Sequence, residues 1–134
     1  HVAAPSIGIA LRAKRGPGRI FLVTDAMSPT GTDATQFELT GRTVYRKNGA
    51  LRLADGTLAG ADLTMIDAVT YVHRTLGLPL EEALRMASLY PAQALGVADS
   101  HGRIGQGARA DLVHLGDDLT VRRTFIGGEP VWSR

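Results

Sequence analysis

Asp25 is the first residue of this sequence in a setting suited to chemistry. It follows the apolar run Ile20-Phe21-Leu22-Val23 and Thr24, and it precedes a loop over 27–35 rich in Ser, Pro, Thr, Gly and Asp. A carboxylate at the end of a buried strand can take a proton as a general base and return it as a general acid. The same position also suits an aspartate that caps its own loop through the backbone. The segment Asp55-Gly56-Thr57-Leu58-Ala59-Gly60 combines two glycines with small residues, an arrangement whose amides can approach a hydroxyl or a phosphate. It reads equally as a loop leading to a helix cap at Thr64. His1 is the histidine near the Asp25 end, and it also reads as an exposed terminal side chain. His73 falls in a helical pattern, His101 in a polar loop and His114 in a strand, with no second ligand at metal-binding spacing. These three are read as structural or surface residues, and no metal site is placed on them.

Composition narrows the classes. The 134 residues are 44% hydrophobic, enough for the core of one ordinary domain. Lys and Arg number 15 against 13 Asp and Glu, without a basic tract, so nucleic acid is not an expected partner. The absence of cysteine excludes disulfides, thiolate zinc sites and a cysteine nucleophile, and it fits a reducing compartment. No apolar run approaches the roughly 18 residues of a membrane span, and the start lacks a signal-peptide layout. No membrane association and a cytoplasmic location are expected. The chain opens on His1 and is read as a processed or partial product. It carries no Gly-x-Ser-x-Gly, P-loop or dinucleotide fingerprint.

The elements that must position Asp25 follow from periodicity. Residues 5–15 read as a short helix with Arg12, Lys14 and Arg15 near its end, closing at Gly16. The unbroken apolar run at 20–23 predicts a strand buried on both faces, as in a parallel sheet covered by helices. Active sites of parallel α/β architectures lie at the C-terminal end of such strands. Residues 37–39, 43–46 and 51–53, separated by Gly41 and Asn48-Gly49, predict a small antiparallel sheet. Thr64 with Asp67 starts a helix whose Met65, Val69, Val72 and Leu76 share a face until Gly77. A second helix begins near Pro79 with Leu84 and Ala87 facing inward, and Pro91 opens a third that stops at Gly96. Residues 111–115, 121–126 and 131–132 return to strands, with Gly127-Gly128 as a turn. Arg122-Arg123 reads as a solvated strand face, and Tyr90 and Trp132 as core or edge aromatics. A parallel strand without a parallel partner is an edge that favours association, so a homo-oligomer is expected.

Taken together, Leu22-Val23-Thr24-Asp25-Ala26-Met27 with Pro29 and Gly31, then Asp55-Gly56-Thr57-Leu58-Ala59-Gly60 and Leu63-Thr64-Met65, resemble the N-acetylglucosamine-6-phosphate deacetylases of the amidohydrolase superfamily. The likeness continues through the segment 83–92, Gly102-Arg103-Ile104, Gly107 and Ala110-Asp111-Leu112-Val113. This last block is shared by many amidohydrolases. The resemblance implies an α/β chain that is the C-terminal fragment of a metal-dependent hydrolase (β/α)8 barrel, with part of a small β-sandwich. On that basis 1–36 would be the last helix and strand of the barrel with the active-site loop, and 37–60 a small antiparallel sheet and substrate loop. Residues 61–98 would be barrel-end helices and 99–134 sandwich strands.

The resemblance also assigns roles. Asp25 matches the aspartate of the family's Thr-Asp-Ala motif, the acid–base residue in hydrolysis of the N-acetyl group. His1 matches a substrate-contacting histidine, although the motif residues that precede it in the family are absent here. Leu58, Ala59 and Gly60 match a stretch whose backbone contacts substrate. A divalent metal, commonly zinc, is implied, and its glutamate and histidine ligands have no counterpart in this sequence. The implied reaction converts N-acetylglucosamine 6-phosphate to glucosamine 6-phosphate and acetate, with the isolated chain inactive. The competing expectations are another metal-dependent amidohydrolase and a non-catalytic, self-associating module.

Overall fold

A computed structural model describes residues 2–134. The elements run in the order α1 (Ala4–Ala13), β1 (Gln36–Leu39), β2 (Arg42–Lys47), β3 (Ala50–Leu53), β4 (Leu58–Ala61), α2 (Met65–Arg74), α3 (Leu80–Ala87), α4 (Leu89–Ala94), β5 (Leu112–Leu115), β6 (Val121–Ile126) and β7 (Glu129–Ser133). Helix and sheet are mixed, and the residues form two compact units. One is Val23–Ala68, and the other joins the described residues up to Leu22 with Val69–Arg134.

The Val23–Ala68 unit is built on an antiparallel sheet of order β1-β2-β3-β4. Its two inner turns carry left-handed pairs, Thr40 and Gly41 at φ 50 and 78, and Asn48 and Gly49 at φ 53 and 71. These dihedrals match the right-handed twist of a hairpin, which is why Asn-Gly marked the turn in the sequence. Three of the strands were expected, whereas β4 lies where a loop was predicted. Its residues Leu58-Ala59-Gly60-Ala61 have little intrinsic strand preference, and pairing with β3 overrides that deficit. Val44 and Leu51 are fully buried and form the centre of this unit.

The expected buried strand at 20–24 is the main correction. No ladder forms there, and the nearest pairing is a single parallel bridge between Ala26 and Ala61. Val23 is 68% exposed and Phe21 40%. Continuous hydrophobicity buries both faces only when neighbouring strands flank the segment and helices cover it. The described residues supply no strand alongside 20–24.

The other unit is mainly helical. In α1, Pro5 sits in the first turn, where no amide partner is needed. The helix stops at Ala13, two residues before the expected end, because Lys14 turns to φ −56, ψ 123. On α2, Val69 and Val72 are buried as expected. The inward face of α3 consists of Ala83 and Met86, while Leu84 is exposed. The predicted pair Leu84 and Ala87 is therefore displaced by one position. Pro91 lies in the first turn of α4, whose first residue is Leu89, and so costs no helical hydrogen bond. The Tyr90 hydroxyl donates to Glu82 at 2.8 Å, and the Arg19 guanidinium stacks 5.2 Å above its ring. Burial and that carboxylate hold the Tyr90 phenol above its ordinary value of 10.0. The second sheet, of order β5-β6-β7, closes at Gly127-Gly128.

Candidate functional site

Asp25 occupies a left-handed backbone conformation, φ 53. Aspartate enters this region at lower cost than branched residues do. The turn is held by one side-chain acceptor and one backbone acceptor. The Ala26 N–H donates to Thr24 Oγ1 at 3.2 Å, and the Ala61 N–H donates to the Asp25 carbonyl at 3.3 Å. The Asp25 side chain is exposed. The loop-capping and chemical readings of this aspartate thus separate: its carbonyl does the structural part and its carboxylate stays free of the turn.

Gly60 explains how β4 comes this close. A Cβ at position 60 would lie 3.0 Å from Met27 Sδ and 3.2 Å from the Asp25 carbonyl oxygen. A side chain would therefore be tight where the 25–27 segment crosses the strand, which favours glycine there. Leu58 is 40% exposed and pairs with Arg52, Ala59 is half-buried and Gly60 is buried against Met27. Thus 58–60, taken in the sequence for a loop, form a strand edge beside Asp25. His1 lies outside the described residues.

The Asp55-Gly56 turn does not offer amides to a ligand. The Gly56 N–H is taken by the Leu53 carbonyl and the Thr57 N–H by Asp55 Oδ1, both at 2.9 Å. The Thr57 amide and hydroxyl hold the Asp55 carboxyl below its ordinary value of 3.8. The two glycines serve a hairpin and a close crossing.

Sequence reasoning passed over Arg46. The alternation of β2 places it on the same face as fully buried Val44, and a cation at an inward position of a hairpin is a signal available from sequence. Its Nη1 donates to the Thr32 carbonyl and its Nη2 to the Pro29 carbonyl, both at 2.6 Å. Its Nε lies 3.1 Å from Asp62 Oδ2 but is not aimed at it, so this contact is an ion pair rather than a hydrogen bond.

The described histidines do not converge. His73 Nδ1 lies 2.8 Å from the Leu78 carbonyl, His101 Nδ1 lies 2.8 Å from Ser100 Oγ, and His114 is exposed on β5. Among the described residues no three His, Asp or Glu side chains are grouped as a metal ion would need. These donors do not fit a catalytic metal by themselves. A hollow of about 640 Å³ beside the first sheet is lined by Gln36, Tyr45, Lys47 and Arg52, among others, and includes neither Asp25 nor 58–60. No helix is long and apolar enough to cross a membrane among the described residues.

Residues 13–131 match the Amidohydrolase family, and the chain belongs to that family, whose members are generally metal-dependent. Within it, the chain is 35% identical over 133 residues to the N-acetylglucosamine-6-phosphate deacetylase of Vibrio furnissii, covering 99% of this chain and 33% of that protein. It is 42% identical over 133 residues to the N-acetylgalactosamine-6-phosphate deacetylase of Shewanella sp. (strain ANA-3), again covering 99% and 33%. The crystal structure of the N-acetylglucosamine-6-phosphate deacetylase from Pasteurella multocida superposes with a TM-score of 0.90 at 36% identity, covering 100% of this chain and 35% of that one. The chain thus spans about a third of the length of these relatives.

Proposed function

We propose that this chain forms part of an enzyme that hydrolyses N-acetylglucosamine 6-phosphate to glucosamine 6-phosphate and acetate. The observation that carries the reading is the meeting of two segments distant in sequence. The Thr24-Asp25-Ala26-Met27 turn and the Leu58-Ala59-Gly60 strand touch through Asp25, Met27 and Gly60. In this reading Asp25 takes a proton from the water that attacks the N-acetyl carbonyl carbon. As the C–N bond breaks, Asp25 delivers that proton to the sugar nitrogen, which leaves as the amine. Residues 58–60 and His1 contact the substrate. A divalent metal, zinc by family resemblance, belongs to the reading, with ligands outside those described.

In the same reading 20–25 completes a barrel strand only beside strands that the rest of the enzyme supplies, with 1–36 around it, 37–60 as the substrate-side sheet and loop, 61–98 as barrel-end helices and 99–134 as sandwich strands. Its support is the 0.90 superposition on the Pasteurella multocida enzyme. A second sugar phosphate is favoured by the 42% identity to the N-acetylgalactosamine-6-phosphate deacetylase. Acetate release from the two 6-phosphates and from unphosphorylated N-acetylglucosamine, measured side by side, tests both. Turnover of a 6-phosphate alone supports the reading, and the faster epimer fixes the sugar. Equal turnover without the phosphate, or turnover only of a cyclic amide, contradicts it.

A further inference from the structure

Arg46 has a part in the candidate site that neither its position in a strand nor the family resemblance assigns. Its guanidinium is largely removed from water, with a side chain 19% exposed, and a charge so placed must be matched by acceptors. The acceptors come from the loop that leaves Asp25 and from the exit of the neighbouring strand β4. Pro29 and Thr32 lie on the loop that leaves Asp25, and each gives its carbonyl to one terminal nitrogen. Asp62 lies at the exit of β4, next to Ala61, whose N–H bonds the Asp25 carbonyl and which bridges Ala26. The Arg46 backbone N–H holds the far end of the loop through the Thr35 carbonyl at 2.8 Å. One residue therefore ties the loop that leaves the left-handed turn to the exit of β4.

The identity of the side chain matters here. A guanidinium is a rigid planar fork that meets separate acceptors at once, whereas an ammonium is a point charge on a flexible stem. Pro29 is buried, so the loop it anchors is packed as well as bonded. We propose that Arg46 is a positioning residue, which fixes the 24–32 turn against β4 and thereby aims the Asp25 carboxylate at the reacting atoms. The proposal rests on the reading of Asp25 as the acid–base group, and its test separates the two.

Arg46→Lys and the milder Asp62→Asn are made in the gene product that carries these residues, with Asp25→Asn alongside. Amide hydrogen exchange and steady-state deacetylation of N-acetylglucosamine 6-phosphate are measured on each. In Arg46→Lys, exchange at Ala61, Thr30 and Thr32 rises about tenfold while β6 amides keep their protection. Its kcat falls on the order of a hundredfold with KM within about twofold, and Asp62→Asn shows a smaller change in the same sense. If β6 also loses protection in Arg46→Lys, Asp62→Asn decides by the same pattern. Unchanged Ala61 exchange overturns the proposal, as does a loosened Ala61 with wild-type kcat while Asp25→Asn is inactive. Wild-type turnover by Asp25→Asn sinks the reading of Asp25 itself, and the proposed role of Arg46 with it, whatever the exchange shows.

Discussion

At the scale of residues, the candidate site depends on a crossing where even a methyl group would be tight. Gly60 has to accommodate Met27 and the Asp25 carbonyl within the space a methyl group would fill. The methionine can rotate away, but the carbonyl belongs to a turn pinned by the Ala61 N–H. Gly60→Ala is therefore expected to cost about 1–3 kcal/mol in urea unfolding, the range for overpacking. Adding Met27→Ala should recover only part of that loss, and full recovery would mean that the carbonyl contact is not a constraint. Asp25 and Gly60 were legible because an acid after an apolar run and a glycine-rich segment are local signals. The place of Arg46 on the inward face of β2 could be read from alternation, but its acceptors at Pro29, Thr32 and Asp62 leave no local signal.

At the scale of elements, caps, turns and the β1–β2–β3 hairpins were read well, whereas 20–24 and 58–61 were not. Thr64 and Asp67 exchange side-chain bonds to each other's amides, at 3.3 and 3.1 Å, and Gly77 at φ 76 follows α2, as their types and spacing predicted. The absence of a ladder at 20–24 and the presence of β4 both turn on what lies alongside, which local sequence does not carry. A further link of this kind is Asp111, just before β5. Its Oδ2 accepts from Arg109 Nε and its Oδ1 from the Gly127 N–H, both at 2.7 Å, joining the start of β5 to the β6–β7 turn. Arg109 first, and then the Gly127 amide, hold its carboxyl below the ordinary value of 3.8. Its proton thus binds more weakly in the folded chain than in the unfolded one. Its contribution to stability is complete above 3.8 and disappears as pH falls through the lower folded value. Asp111→Asn should therefore lower the urea midpoint at neutral pH by a small amount, as fits an exposed pair, and should flatten the acid decline below 3.8. Parallel acid limbs in mutant and wild type would assign that decline to other groups.

At the scale of the whole molecule, the chain is a member of the amidohydrolase family that spans about a third of its relatives. Phe21 and Val23 stand exposed in a segment with no ladder among the described residues. An apolar segment of this kind favours association. Sedimentation of the purified chain is expected to give a species larger than a monomer, growing with concentration, and a monomer throughout would count against the expected homo-oligomer. The mixture of helix and sheet and the order of the helices were readable because each leaves a local trace. The arrangement that unites 24–27 with 58–60 was readable only as a resemblance, because contacts between distant segments have no periodicity of their own.

In the proposed reaction Asp25 moves the proton in deacetylation of a hexosamine 6-phosphate. Acetate release from N-acetylglucosamine 6-phosphate, followed for the gene product that carries these residues and for its Asp25→Asn variant, tests it most directly. The account predicts turnover by the wild type and a loss of about 10²- to 10⁴-fold in kcat for the variant, with substrate binding retained. Equal turnover by the two proteins would contradict it.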